Sequence, residues 1–477
     1  MAMTTTERSL PLCVDLDGTL IATDLLWEST FTLIRTRPME AALMPIWLLK
    51  GRANLKARIG ERVGVDARLL PYRAEVVDYL RGERARGRWL VLATAADRRL
   101  AEAVAEHLDV FDEVVASDDG RNLKGREKLA ALQARFGAGG FDYLGDSRAD
   151  LPIWEAANKA LIVRTDRSIE RRAAAVCSPS LIFDGAGGGP KALVKALRPH
   201  QWAKNVLVFV ALIAAHQVFH LGPLLKCGMA FLAFSFTASA VYILNDLLDL
   251  ESDRRHPRKR RRPFASGAAS IPAGVGLIVA LLGAATAAAA FLPPSFIGLL
   301  ILYLALTTAY SVYLKRKLMV DVLCLAGLYT LRILAGGAAA SIVISPWLMA
   351  FSMFFFLSLA FAKRYTELTA AEGSLEKIPG RGYWPMDLEL IRSVGPTSGY
   401  LCVLVFCLYL NSPDVRTHYG RPEVLWLSCP LLLYWISRIW FLAYREQLDD
   451  DPVAFALRDR ISYLIGGAMM VVLGASL

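Results

Sequence analysis

From Val206 onward, long apolar stretches alternate with short polar connections. Nine stretches stand out, at about 206–221, 226–244, 271–291, 295–314, 320–342, 346–362, 394–412, 424–443 and 461–477. Several approach the roughly 20 residues that a helix needs to cross a bilayer. The pattern predicts an all-α membrane region of nine spans, with Pro413 and Pro430 breaking or bounding the later ones. The first part of the chain reads differently. Short apolar runs at Leu12–Val14, Trp89–Thr94 and Phe141–Asp146 alternate with helical stretches at Arg98–Leu108 and Arg126–Phe136. That alternation predicts a parallel, doubly wound α/β sheet. Between the first two strands, about 22–86, helical character predicts a cap. The glycine cluster from Asp184 to Pro190 marks a hinge, and Lys191–Leu197 reads as a short amphipathic helix. The expected layout is an α/β domain over 1–184, a linker with an interfacial helix over 185–204, and a membrane domain over 205–477.

Composition sharpens this picture. The chain is 55% hydrophobic with a mean hydropathy of +0.38, too apolar for an ordinary soluble protein of 477 residues. The seven cysteines include no C-x-x-C pair and lie mostly in or beside apolar runs, so they read as buried thiols. The polar stretch before Leu12 has no apolar signal core, which predicts that the α/β domain stays in the cytosol. The net charge of +10 is explained by its position. Connections after the even-numbered stretches carry Arg254, Arg255, Arg258–Arg262, Lys315–Lys317, Lys363, Arg364, Lys377, Arg381, Arg392, Arg445, Arg458 and Arg460. The opposite connections carry only Lys226, Arg416 and Arg421. Positive residues stay on the cytoplasmic side of a membrane. The even connections and the α/β domain are therefore expected on that side of the cell membrane, and nucleic acid is not needed as a partner.

Candidate chemistry gathers at the strand ends. In a parallel sheet the site lies beyond the carboxyl ends of the strands. There stand Asp15 and Asp17 in D-x-D-G-T, Thr94 after the second strand, Lys124 or Lys128, and Asp146 and Asp150 after the third. This set resembles the haloacid dehalogenase-like phosphatases. The resemblance implies that Asp15 is the nucleophile and Asp17 the general acid and base. Thr94 and a lysine, with Lys128 favoured, would hold phosphoryl oxygens. Asp15, Asp17, Asp146 and Asp150 would surround Mg²⁺, which a carboxylate nucleophile needs to screen its repulsion from phosphate. In the cap, Leu43–Leu49 is apolar and followed by Lys50, Arg52, Lys56 and Arg58. That run suits cap core or an interfacial anchor.

The rest of the chain is organised around Asn245–Asp253, which closes an apolar run and opens a basic one. In a continuous helix Asn245, Asp249 and Asp253 would share one face, the outer two roughly 12 Å apart. Acids at the end of a span are costly and usually functional. With Mg²⁺ bound, Asn245, Asp246, Asp249 and Asp253 would make a diphosphate site among Arg258, Lys259 and Arg261. Asp321 opens the fifth stretch, and Arg332, deeper in it, is expected to face the same cavity. Arg198–Asn205 puts Trp202 and Lys204 at the interface.

Nine spans, N-x-x-x-D-x-x-x-D and the later Asp321 resemble the UbiA superfamily of membrane prenyltransferases. One departure weakens a prenyl-diphosphate reading: Leu325 stands four residues after Asp321, where many members have a second Asp. The R-P-x-Q-W-x-K-N and H-P-x-K-R-x-R-P stretches look closer to the decaprenyl-phosphate phosphoribosyltransferases. That branch implies phosphoribosyl diphosphate and a polyprenyl phosphate as substrates. Lys204, Arg258, Lys259, Arg261, Lys315 and Lys317 would bind phosphates, Asp321 metal or ribose, and Lys363 and Arg364 the lipid phosphate. Two phosphate-handling domains in one chain suggest consecutive steps, phosphoribosyl transfer and then removal of the 5-phosphate. Alternatives are a prenyl transferase with a separate phosphatase, and a non-catalytic membrane scaffold. A homo-oligomer is compatible with either.

Overall fold

The structure, a computed structural model, describes residues 9–370 apart from 119–120, 166 and 186, and residues 381–477 apart from 414, 416–418, 449–451 and 457. Lys377 and Arg416, counted above in the charge asymmetry, lie outside the described residues. By internal contacts the chain divides into two compact units. One is Met1–Leu197 with Tyr242–Ile278, the other Arg198–Val241 with Val279–Leu477. The acid motif and the basic run after it thus belong to the first unit.

The first unit holds a six-stranded parallel sheet. Its strands are β1 (Leu12–Val14), β2 (Leu90–Asp97), β3 (Glu113–Ser117), β4 (Asp142–Gly145), β5 (Ala160–Arg164) and β6 (Pro179–Asp184). Their order is β3-β2-β1-β4-β5-β6, and all the pairings are parallel. The order reverses at β1, so the loops after β1 and β4 open side by side, where such sheets place their ligands. Leu12, Val14, Leu90 and Leu92 pack against one helical layer, and Cys13, Val91, Phe141 and Tyr143 against the other. Strands buried on both faces read as near-continuous apolar runs. Helices at Arg98–Leu108 and Arg126–Phe136 match the stretches read from periodicity, and Asp97 caps the first by accepting from the Arg99 N–H.

The cap is helical, with helices at Leu25–Thr36, Pro38–Ala41, Met44–Leu49 and Arg52–Gly60. Its small core is Leu33, Trp47, Ile59 and Val63. Trp47 faces inward, while Met39 (88%) and Leu49 (89%) are almost fully exposed. The glycine cluster serves close approach: the Gly188 N–H donates to the Ala268 carbonyl at 2.9 Å. A Cβ on Gly187 would lie 3.0 Å from that same oxygen.

Among the described residues, seven helices are long and apolar enough to cross a membrane, against the nine expected. They are Leu221–Leu248, Ile271–Ala289, Pro294–Val312, Val320–Ala340, Pro346–Thr369, Pro385–Leu410 and Pro422–Tyr444. The expected first span is instead a 3₁₀ segment, Pro199–Phe209, followed by five α-helical residues, Val210–Ala214. The expected last one, Arg460–Ser476, is a shorter apolar helix of 17 residues. The protein is an integral membrane protein that also carries an α/β unit. The second unit's core gathers Phe356, Phe361, Tyr365, Trp435 and Trp440.

Candidate active sites

The loops after β1 and β4 bring the phosphatase-type residues together. Asp15 follows β1, with its N–H anchored on the Leu144 carbonyl at 2.9 Å. Its Oδ1 accepts from the Leu16 N–H at 2.9 Å and from Lys128 Nζ at 2.8 Å. Lys128 also donates to the Tyr143 hydroxyl at 3.0 Å, which donates to Asp150 at 2.8 Å. Asp150 accepts from Ser147 through both its N–H (3.0 Å) and its hydroxyl (2.8 Å), which fixes the turn after β4. Thr19 donates to Asp146 at 3.2 Å. Gly18 has φ +81°, and a Cβ there would collide with the Asp146 carboxylate. The D-x-D-G-T glycine is therefore demanded twice, by its backbone and by its neighbour.

Oxygens of Asp15, Asp146 and Asp150 lie within 4.8 Å of one another. Burial, opposed by Lys128, pushes the Asp15 carboxyl up to about 6. Burial and the charges of Asp15 and Asp150 push Asp146 well above the carboxylate range. Asp17 stands slightly apart, accepting from the Leu25 N–H at 2.8 Å. Burial and then Asp24 raise it well above the usual range. Of the two candidate lysines, Lys128 makes the contact with Asp15, while Lys124 lines the same cavity. Thr94 is fully buried, and its hydroxyl accepts from the Ala96 N–H at 3.0 Å. The cavity wall there is Ala95, Ala96 and Asp97.

Motif reading missed three cations in this cavity, Arg52, Lys56 and Arg73. Lys56, from the cap helix Arg52–Gly60, donates to Asn122 at 2.9 Å and to the Ala95 carbonyl at 2.5 Å. Burial lowers its pKa despite Asp17 and Asp24 nearby. Arg73 donates to the Gly18 carbonyl at 3.0 Å. The basic run after Leu49 hinted at Lys56, but a run reads equally as a membrane-facing surface. Nothing in the sequence pointed to Arg73.

The acid motif lies in the same unit. Its helix ends at Leu248, and Asp249 steps out of helical geometry (φ −104°, ψ 14°) before a short helix at Leu250–Arg255. The Asp249 and Asp253 N–H groups still bond four residues back, at 2.9 and 2.8 Å. The pair brought together is Asp246 with Asp253, seven apart, rather than the expected stripe of Asn245, Asp249 and Asp253. Arg262 bridges the two, at 3.0 Å to Asp246 and 2.7 Å to Asp253. Both carboxylates are nearly inaccessible, at 2% each, and burial raises Asp253 against the pull of Arg262. Asp249 faces Arg35 at 3.9 Å. Arg258, Lys259 and Arg261 are exposed, the last two in a 3₁₀ turn. Arg254, the residue after Asp253, forms a buried two-pronged ion pair with Glu28 of the cap, at 2.6 and 3.1 Å.

In the second unit, Asp321 and Arg332 have separate partners. Asp321, fully buried, takes Arg364 at 2.8 Å and the Tyr310 hydroxyl at 2.9 Å, with Arg381 at 3.8 Å. Arg364 also pairs with Glu367. Arg332 instead donates to Asn205 at 2.8 Å and Tyr303 at 3.1 Å, and lies over the Tyr303 ring. Two buried charges in an apolar unit each need their own partners. Lys204, Lys315 and Lys363 are half-buried, and Lys317 is exposed over the Tyr313 ring.

Residues 205–458 match the UbiA prenyltransferase family. The chain belongs to that family. Residues 12–155 match the haloacid dehalogenase-like hydrolases, so a UbiA domain follows a phosphatase-type domain in one polypeptide. The uncharacterized protein y4nM of Sinorhizobium fredii is 40% identical over 464 residues, 96% of this chain and 90% of that one. Its match spans both domains. Nodulation protein NoeC of Azorhizobium caulinodans is 34% identical over 59% of this chain and 90% of its own. Decaprenyl-phosphate phosphoribosyltransferase of Mycobacterium tuberculosis is 33% identical over 60% of this chain and 93% of its own.

Proposed function

We propose that the UbiA domain transfers 5-phosphoribose from phosphoribosyl diphosphate to a polyprenyl phosphate. In this proposal the α/β domain then removes the 5-phosphate, leaving polyprenyl-phosphoryl ribose. The observation that carries the first half is the 33% identity to decaprenyl-phosphate phosphoribosyltransferase over 93% of that enzyme's length. The second half rests on the Asp15–Lys128 pair beside Asp17, in a cavity that also holds Asp146 and Asp150.

The residues present suit Mg²⁺. Three carboxylates whose oxygens lie within 4.8 Å, all acceptor-only and two raised by burial and mutual repulsion, form a site for a hard cation. Mg²⁺ would supply charge neutralisation on the phosphoryl oxygens. The chain does the rest. Lys128 keeps Asp15 ionised and aimed. The Asp15 oxygen attacks phosphorus and forms a new P–O bond as the bond to the substrate's C5 oxygen breaks. Asp17, protonated in its buried setting, gives that oxygen its proton. Water then attacks phosphorus and gives its proton to Asp17 as the P–O bond to Asp15 breaks, which releases inorganic phosphate and restores the Asp15 carboxylate.

In the transferase half, Asn245, Asp246, Asp249 and Asp253 would hold metal against the donor diphosphate. That Asp246 and Asp253 already grip the Arg262 guanidinium argues that the pair accommodates a cation. Lys204, Arg258, Lys259, Arg261, Lys315 and Lys317 would neutralise phosphates, and Asp321 would bind metal or ribose. Arg332 would order Asn205 beside Lys204. Lys363 and Arg364 would take the lipid phosphate, Arg364 exchanging its carboxylates for it. The leaving diphosphate is stabilised as C1 of the ribose becomes cationic, and the lipid phosphate oxygen attacks it. We place the boundaries at 1–184, 185–204 and 205–477. Nine spans are reached by adding 206–221 and Arg460–Ser476 to the seven, with both sites on the cytoplasmic side of the cell membrane. The family match also favours a second reading, prenyl transfer from a prenyl diphosphate to an aromatic or lipid acceptor; Leu325 counts against it.

The test uses the purified chain with Mg²⁺, phosphoribosyl diphosphate and a polyprenyl phosphate, with lipid products weighed by mass spectrometry. Lipid-phosphate-ribose is the expected product. No ribosylated lipid at all overturns the donor assignment.

A further inference from the structure

The cavity of about 800 Å³ that holds Asp15 and Asp17 is not polar throughout. Besides its carboxylates and cations, its lining includes Leu26, Trp27, Leu48, Leu55, Leu193 and Pro272. These side chains come from three separate pieces of chain: the cap, the linker helix Gly189–Leu197, and the first turn of Ile271–Ala289. The last is one of the seven helices long enough to cross a membrane. Leu48 is half exposed (51%), and Leu26, Trp27, Leu55 and Leu193 are part-buried. Apolar side chains left partly open beside a charged cluster lose free energy to water unless an apolar group covers them. A soluble sugar phosphate would leave this wall uncovered. A phosphomonoester that also carries an apolar chain would cover it, and the helix that forms the wall continues as an apolar segment of spanning length.

We propose that this wall is a tail subsite and that the phosphatase site takes amphiphilic phosphomonoesters. The phosphate binds beside the Asp15–Lys128 pair, and the apolar part of the same molecule lies against Leu48, Leu193 and Pro272. The inference deepens the proposed reaction and rests on it for the identity of the natural substrate, a phosphomonoester carried on a lipid. The glycine contacts explain why the wall holds together. Gly267 packs so closely on Ala22 that a Cβ would lie 2.7 Å from the Ala22 carbonyl oxygen, and Gly188 bonds to Ala268. These contacts hold the segment just before Ile271–Ala289 against Ala22, three residues after D-x-D-G-T, and against the linker.

The test compares decyl phosphate with ribose 5-phosphate as substrates for the full chain in nanodiscs. The proteins are wild type and Leu48→Glu/Leu193→Glu, with Asp15→Asn as the blank. Both leucines are partly exposed, so the double variant should fold, and a melting curve checks it. Wild type should prefer decyl phosphate in kcat/KM by at least about tenfold, and the double variant should lose most of that preference, since each apolar contact is worth about that much discrimination. Equal turnover of the two substrates overturns the subsite. So does a preference that survives the double variant, because it would come from partition into the bilayer. Release of the 5-phosphate from ribosylated lipid, assayed alongside, separates the two readings. Release without tail preference removes the subsite and keeps the proposed reaction. Tail preference without release does the reverse.

Discussion

The first unit contains two clusters of acid, and they are built in opposite ways. Around Asp15 the carboxylates converge: three residues bring their oxygens within 4.8 Å of one another, with Lys128 at 2.8 Å from Asp15 and 3.9 Å from Asp150. Around Asp253 the gap is filled from within the chain, because Arg262 stands between Asp246 and Asp253. The first arrangement is costly without a cation, since burial and mutual repulsion raise Asp15 and Asp146 together. The second carries its own counter-charge. A preorganised site gains binding strength from strain already stored in the protein, whereas a self-compensated site must break an ion pair before it can admit metal. Under the proposed function, the difference would suit a phosphatase site that keeps its ion and a transfer site that receives one with its diphosphate.

The largest effect expected on this comparison is at Asp15. Asp15→Asn should lower phosphate release by about 10⁴-fold or more, as removal of a covalent nucleophile does. Mass spectrometry should then show lipid-phosphate-ribose-phosphate accumulating; continued loss of the 5-phosphate would break the assignment. Lys128→Met should cost about 10³-fold in the same assay and Lys124→Met less than about tenfold, because only Lys128 reaches Asp15. Equal losses would mean that both lysines serve the phosphoryl group. Asp253→Asn should cut formation of ribosylated lipid by about 10²-fold, with phosphate release from decyl phosphate falling far less. A parallel fall in both would show that the acid motif acts by holding the unit together.

Much of the first cluster was legible because its residues sit at strand ends, where alternation and a short loop fix their direction. Asp15, Asp146 and Lys128 are distant in sequence, yet β1 and β4 are neighbours, so the sheet alone brings the two aspartates together. The sequence reading found β1, β2 and β4 but passed over β3, β5 and β6. Of these, β6 (Pro-Ser-Leu-Ile-Phe-Asp) is half exposed at the sheet's edge, where apolar alternation is weak. The acid motif was legible as a motif and not as a geometry. Helical spacing put Asn245, Asp249 and Asp253 on one face, but Asp249 leaves the helix, and Arg262 selects Asp246 and Asp253. No periodicity reports where an arginine nine residues downstream will fold back. The membrane count fell short for a related reason: Pro199–Phe209 winds as a 3₁₀ segment, with Asn205 and Trp202 bonded to Ser235 and Ser239. Side-chain bonds there compete with a regular span. Asp321 and Arg332 were expected to face one cavity, and the sequence could not say which residues would hold each of them; Arg364 and Asn205 come from elsewhere in the chain.

The ion pair between Glu28 and Arg254 joins the cap to the acid motif, and it offers a more moderate test. Both side chains are nearly buried, at 5% and 7% exposure. Removing one partner strands the other charge, so Glu28→Gln should destabilise by about 3 kcal/mol. Glu28→Leu with Arg254→Leu should recover most of that loss, because no charge is left unpaired. Thermal melting of the full chain in detergent measures both. A double variant no better than the single would mean that the pair acts through a wider network, including the Thr23 hydroxyl, which donates to Glu28 at 2.7 Å.

The smallest effect is the most direct probe of the contrast between the clusters. Arg262→Gln leaves Asp246 and Asp253 facing each other without their guanidinium. The Arg262 side chain is 30% exposed, so solvent screens part of the loss, and the variant should be destabilised by only about 1–2 kcal/mol without Mg²⁺. The emptied gap then becomes a convergent pair of carboxylates like the one around Asp15. Added Mg²⁺ should bind it in the folded state and restore stability by mass action. The Mg²⁺-induced rise in Tm should therefore exceed that of the parent by about 2–4 °C. The parent measurement subtracts whatever Mg²⁺ does at Asp15, Asp146 and Asp150, which are the same in both proteins. An equal rise in the two would mean that Asp246 and Asp253 hold Arg262 as structure only, and that the second cluster admits no cation in its place.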